Sequence, residues 1–167
     1  MAKTSENMNS ITSIVYINSD GDVVKKLNSK YDGPEFTLLE RELHVLDLLS
    51  EFDWCPKVLS VNEKDRLFFM TMMGSPISKS NIPSDAEDQL QGILDDLKSK
   101  NIRHNDIKKE EILVDKNGKM ALCDFGWASL GDDFSFGLEN ISSREKPNKI
   151  FDDANSFDIL KKIRNES

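Results

Sequence analysis

The sequence predicts an α+β fold with antiparallel strand pairing, and three observations predict it. Asp20-Gly21 lies between the apolar runs 11–17 and 23–27, and Asn117-Gly118 lies between 112–114 and 120–122. Such dipeptides between apolar runs mark tight hairpins. Apolar residues recur at 36, 39, 43, 46, 49 and 52, and gaps of three and four place them on one face of a helix. A second helical stripe follows at Ala86, Leu90, Ile93, Leu94 and Leu97.

Taken in order, residues 1–10 are polar and predict a loose lead-in. Strands at 11–17 and 23–27 flank the turn 19–22. A helix is expected over 35–52. Short apolar runs at 58–61 and 67–72 read as strands joined by the polar turn 62–66. The Gly, Ser, Asn and two prolines of 74–83 read as a connector. Ser84 and Glu87 match a capping box, in which the Ser caps the helix and the Glu reaches back to the cap's N–H. The second hairpin turns at 115–119. Beyond Ala128 the chain is rich in Gly, Asp and Ser to about 148, and 153–163 reads as a closing amphipathic helix. There is no internal repeat.

A chain of 167 residues suits one domain or a compact pair of lobes. The net charge of −8 would repel a phosphate backbone, and the basic pairs Lys25-Lys26, Lys108-Lys109 and Lys161-Lys162 are too short to form a patch. No nucleic-acid partner is expected. Cys55 and Cys123 lack metal-ligand spacing, which argues against a zinc site and suits a reducing compartment. No apolar run reaches the ~20 residues of a membrane helix. The first 20 residues lack a signal pattern. The expectation is a cytoplasmic protein without a membrane partner.

Asp106 and Asp124 stand 124 − 106 = 18 residues apart, on the two flanks of the second hairpin. Phosphoryl transfer needs positioning and charge compensation more than covalent help. One carboxylate can hold Mg²⁺ while a second orients the attacking hydroxyl. Two loops at the ends of a rigid hairpin can hold such groups apart.

His104-Asn105-Asp106-Ile107-Lys108, followed by Glu111-Ile112-Leu113-Val114, resembles the protein-kinase catalytic loop and its strand. Asp124-Phe125-Gly126 is similar to the kinase D-F-G. Val23-Val24-Lys25 resembles the V-A-I-K strand, Glu42 the glutamate of the kinase αC helix, and 68–74 the hinge. The five features occur in the kinase order over roughly 11–130. The resemblance implies a two-lobed protein-kinase-like fold. Its small N-lobe, residues 11–73, would hold an antiparallel sheet and one helix, with the hinge at its end. Its shortened, mostly helical C-lobe would span 74–167.

The resemblance also implies roles. Lys25 would hold ATP phosphates and Glu42 would fix Lys25. Asp106 would be the catalytic base, and Lys108 would offset charge on the transferred phosphate. Asp124 would bind Mg²⁺. Backbone groups of Thr71, Met72 and Met73 would meet the adenine, between Val24 or its strand neighbour and Leu113. His104 would brace the loop. Lys26 remains an alternative to Lys25, and Glu40 to Glu42. Ser129, Ser135, Ser142 and Ser143 are candidate phosphorylation sites.

Three differences from the family are visible. No glycine-rich motif precedes Lys25, and the family's metal-binding Asn is Glu111, either a retained oxygen ligand or a lost one. No A-P-E follows, and 167 − 126 = 41 residues remain after Gly126. In this the chain is similar to the RIO kinases, the small kinase of the tRNA-modification complex and the lipopolysaccharide kinases. Lys108 follows the serine/threonine kinase pattern, so the expected function is ATP- and Mg²⁺-dependent transfer to a protein serine or threonine, with a protein substrate or partner. The alternatives are a pseudokinase acting as a binding module, and a kinase of a small-molecule or sugar hydroxyl. The sequence does not give the oligomeric state.

Overall fold

The structure is a computed structural model that describes residues 13–32, 36–131 and 153–166. The lead-in 1–10 and Ser135, Ser142 and Ser143 lie outside the described residues. The fold is α+β with antiparallel sheets. β1 (Ser13–Ile17), β2 (Val23–Leu27), β3 (Val58–Asn62) and β4 (Leu67–Met70) form one antiparallel sheet in the order β1-β2-β4-β3. Side-chain acceptors close its turns. Asn18 Oδ1 accepts from the N–H of Asp20 (3.0 Å) and Asp22 (2.9 Å), and Gly21 takes the positive φ of 84° that the turn requires. Asn62 Oδ1 accepts from Asp65 N–H at 3.1 Å between β3 and β4.

α1 (Leu38–Leu48) is shorter than the expected 35–52. Thr37 Oγ1 accepts from Glu40 N–H at 3.1 Å and caps its start. At the other end Ser50 N–H bonds Asp47 O and Phe52 N–H bonds Leu49 O, so the chain turns away from the helix axis. Leu49 is nonetheless fully buried and Phe52 half-buried. The apolar spacing ran on because a turn can bury the same side chains as a helix.

The remaining described strands and α-helices follow Gly74. β5 (Ser75–Pro76), β7 (Ile112–Val114) and β8 (Met120–Leu122) form an antiparallel sheet, and β6 (Ile102–Arg103) pairs with β9 (Ser129–Leu130). Two helices accompany them, α2 (Ala86–Ser99) and α3 (Ser156–Arg164), the latter preceded by a tight helical turn at Asp153–Asn155. This stretch therefore mixes helices with short strands. The expected capping box at α2 is absent. Asp85 occupies the cap without a side-chain bond to a helix N–H, and Glu87 instead takes Arg164 in a two-pronged pair, Nε–Oε1 2.7 Å and Nη2–Oε2 2.8 Å. A guanidinium fork outbids a single N–H for that carboxylate.

One continuous core runs through these elements. Its members include Leu27, Phe68 and Met70 of the first sheet, Leu38, Val45 and Leu46 of α1, Leu90, Ile93 and Leu97 of α2, and Met120, Leu160 and Ile163. Gly74 fixes how residues 71–73 approach β7. Its φ is +143°, and a Cβ there would lie 2.4 Å from the carbonyl oxygen of Val114. Among the described residues, no helix is long and apolar enough to cross a membrane.

Candidate functional site

Lys25 sits in β2, opposite Val15 of β1 on one side and Phe68 of β4 on the other. An ammonium at a sheet centre is costly unless paired. Lys25 is 1% exposed and paired twice: Nζ donates to Glu42 Oε1 of α1, and to Asp124 Oδ1 at 2.8 Å. Lys26, on the opposite face of the pleat, is exposed, and Glu40 is exposed at the start of α1. The ordered pair is thus Lys25 with Glu42. Val23, not the buried Val24, shares the Lys25 face of the strand.

The charges shape one another. Burial lowers the affinity of Lys25 for its proton, but the Asp124 and Glu42 carboxylates more than offset this and keep it charged. Burial pushes the Glu42 carboxyl up against the pull of Lys25. Burial would also raise Asp124, yet the Lys25 ammonium beside it holds its carboxyl down at about 2. Asp124 takes a positive φ of 65°, and its Oδ1 also accepts from Gly126 N–H at 3.3 Å. No described residue donates to Oδ2.

The second loop lies next to the first. Asn105 has a φ of +69°, so both loops carry a non-glycine residue in the left-handed region. Such strain persists only where surroundings over-determine it, and it concentrates at functional sites. Here the surroundings are visible. The His104 ring is fully buried against Phe125, with centroids 5.0 Å apart. Its Nδ1 accepts from Asp106 N–H at 3.2 Å, so its hydrogen lies on Nε2, which donates to Cys123 O at 2.9 Å. One imidazole therefore ties residues 104–106 to residues 123–125, the bracing expected of it.

Asp106 is 9% exposed, and its Oδ2 lies 3.5 Å from the largely exposed ammonium of Lys108. Against the cost of burial, the Asp106 and Glu111 carboxylates raise the Lys108 pKa. Glu111 Oε2 accepts from Lys108 N–H at 2.9 Å. Burial, then the charge of Asp124, pushes the Glu111 carboxyl up to about 8. Glu111 thus feels both loops at once. Among the described residues, no group of three or more His, Cys, Asp or Glu side chains is gathered closely enough to hold a metal by itself.

The structure therefore brings Lys25, Glu42 and Asp124 into direct contact and sets Asp106, Lys108 and Glu111 on the adjoining loop. Thr71, Met72 and Met73 continue from β4, but Thr71 is partly committed. Its N–H donates to Lys57 O, and its Oγ1 accepts from Lys57 N–H, both at 2.9 Å. No backbone partner among the described residues takes the N–H of Met72 or Met73. Leu113 is half-buried in β7, next to Glu111 by one strand residue. Both cysteines are free thiols; burial pushes Cys55 up to about 12 and Cys123 well above its ordinary value, so neither is a ready nucleophile.

Ser129 corrects an expectation. It is fully buried in β9 and accepts from Asn105 Nδ2 at 2.9 Å, so it is closed to modification. Two residues were missed. Asp153 accepts from His104 N–H (2.8 Å) and Asn105 N–H (2.9 Å), holding the backbone of that loop from 49 and 48 residues away. Arg41, buried beside Glu42, donates to Gly126 O. No local pattern marks Asp153; Arg41 carried a signal, a charge at a helix position next to a buried one. No protein-family model matches the sequence, and no curated protein matches it.

Proposed function

We propose that this chain is an ATP- and Mg²⁺-dependent phosphotransferase with a minimal two-lobed protein-kinase-like fold, acting on a protein serine or threonine hydroxyl. One observation carries the reading: Lys25, Glu42 and Asp124, distant in sequence, form a buried ion-pair chain beside Asp106 and Lys108. Lys25 reaches phosphate from a position that Glu42 fixes. Asp106 orients the acceptor hydroxyl and takes its proton, and Lys108 offsets charge on the group in transfer.

The donor set suits magnesium, which prefers one or two carboxylates and completes its shell with phosphate and water. Asp124 Oδ2 and Glu111 would hold it, two carboxylates near enough for the charge of Asp124 to add to burial in raising Glu111. Bound there, the metal supplies positive charge to the phosphate oxygens.

Radiolabel transfer from ATP to generic protein, to the chain itself and to small alcohols tests the reading and identifies the acceptor. Asp124→Ala should abolish transfer in a folded chain, and Asp106→Asn should cut turnover while sparing nucleotide binding. Full activity in folded Asp124→Ala would refute the site.

A binding module without transfer is the second reading, favoured by the β1–β2 turn. The N–H groups of Asp20, Gly21 and Asp22 all bond to Asn18, so none is offered to a phosphate. A thermal shift separates the two, since nucleotide at 100 times its Kd adds about 2.7 kcal/mol of apparent stability.

A further inference from the structure

Arg41 and Glu42 are consecutive in α1, each 2% exposed, and each side chain leaves the helix for a different partner. Glu42 takes Lys25. Arg41 Nη2 donates to the carbonyl oxygen of Gly126, in the loop that carries Asp124. The N–H of that same Gly126 donates to Asp124 Oδ1, and Lys25 donates to Asp124 Oδ1 as well. The contacts close a ring that begins and ends on α1: Arg41, Gly126, Asp124, Lys25, Glu42.

We infer that Arg41 is a positioning residue. By gripping the Gly126 carbonyl it fixes the Gly126–Trp127 peptide and so anchors the residue whose own N–H, on the preceding peptide, holds Asp124 Oδ1, which turns Oδ2 toward the cleft where a metal-bound nucleotide would sit. The metal-binding half of this inference rests on the phosphotransferase reading; the positioning half does not. The Glu42 arm alone leaves the Gly126–Trp127 peptide free to rotate. With both arms in place, a movement of α1 moves Asp124 with it. Lysine is a poor substitute, because its ammonium lacks the planar fork that a buried guanidinium uses to hold one carbonyl in one direction.

The test uses the full chain labelled with 5-fluorotryptophan. Of its two tryptophans, Trp127 follows Gly126 directly, and Trp54→Phe assigns the two fluorine signals. Arg41→Gln should shift or broaden the Trp127 signal. It should also reduce the gain in ADP affinity that Mg²⁺ brings over EDTA by about tenfold, while leaving affinity in EDTA unchanged. Arg41→Lys keeps the charge and one donor and should lose less, about threefold. A folded Arg41→Gln chain with the wild-type Trp127 signal overturns the inference. Should that variant not fold, Arg41→Lys decides on the same two signals, and wild-type behaviour in both overturns it. If the wild-type chain gains nothing from magnesium, the phosphotransferase reading falls instead, and the Trp127 signal alone decides the positioning.

Discussion

Glu111→Gln isolates the cost of keeping an acid in the site. The wild-type carboxyl is 7% exposed and pushed up to about 8 from 4.5, by burial and by the charge of Asp124. A group whose folded pKa is raised contributes stability that is complete below the unfolded value and is lost as pH rises through the folded one. The window therefore runs from about pH 4.5 to about pH 8. The difference of 8 − 4.5 = 3.5 units corresponds to about 5 kcal/mol across it, with about 2 kcal/mol already gone by pH 6. Glutamine has the same shape and can still accept from Lys108 N–H, but it does not ionise. In EDTA, urea unfolding of the two chains should give similar stabilities near pH 4.5 and a gap that widens toward pH 9, with the variant ahead. A gap that stays flat from pH 4.5 to pH 9 would refute the reasoning, because it would mean that neither burial nor Asp124 acts on this carboxyl.

Lys25→Met strands two buried carboxylates, and breaking such a pairing costs about 3–5 kcal/mol. At about 2–4 °C per kcal/mol, calorimetry should find the melting temperature lower by about 6–20 °C. The wild-type chain should also lose about 2 kcal/mol as pH falls from 3.8 to about 2, because Asp124 is depressed and its contribution exists only above that range; the variant should lack this loss. Gly74→Ala drives a Cβ to within 2.4 Å of the Val114 carbonyl oxygen at a φ of +143°. Urea unfolding should show about 2–4 kcal/mol of destabilisation, and an unchanged midpoint would mean that residues 71–74 are not held against β7.

What was legible in the sequence is what local chemistry decides. The hairpins at Asp20-Gly21 and Asn117-Gly118 form because Asn18 and Asp115 can bond the turn N–H groups within four residues. The choice of Lys25 over Lys26 was open on paper and is made by the pleat, which turns one lysine inward and the other to solvent. The choice of Glu42 over Glu40 is made by the rotation of α1 against the sheet. What was illegible depends on partners far along the chain. Arg164 reaches Glu87 across 77 residues and dissolves the capping box. Asp153 holds residues 104 and 105, and the β6–β9 pairing buries Ser129. No periodicity encodes such contacts, because each residue involved looks like an ordinary polar surface position.

The charge arrangement also bears on how a nucleotide could be received. In the buried ring, two cations (Lys25 and Arg41) face two anions (Glu42 and Asp124), so the ring is balanced and has no positive charge to spare. Outside it, Asp106 offsets Lys108, Glu111 is held largely protonated below about pH 8, and the β1–β2 turn adds Asp20 and Asp22 with its N–H groups already spent. A polyphosphate arriving without a counterion would meet more acid than base. A polyphosphate carrying its own divalent cation would reverse the sign: Asp124 Oδ2 and Glu111 would hold the metal, and its charge would favour the ionised form of Glu111. On the proposed phosphotransferase reading, the missing glycine-rich motif and the glutamate at 111 would be one adaptation rather than two defects, since both would shift the work of holding phosphate from backbone N–H groups to the metal.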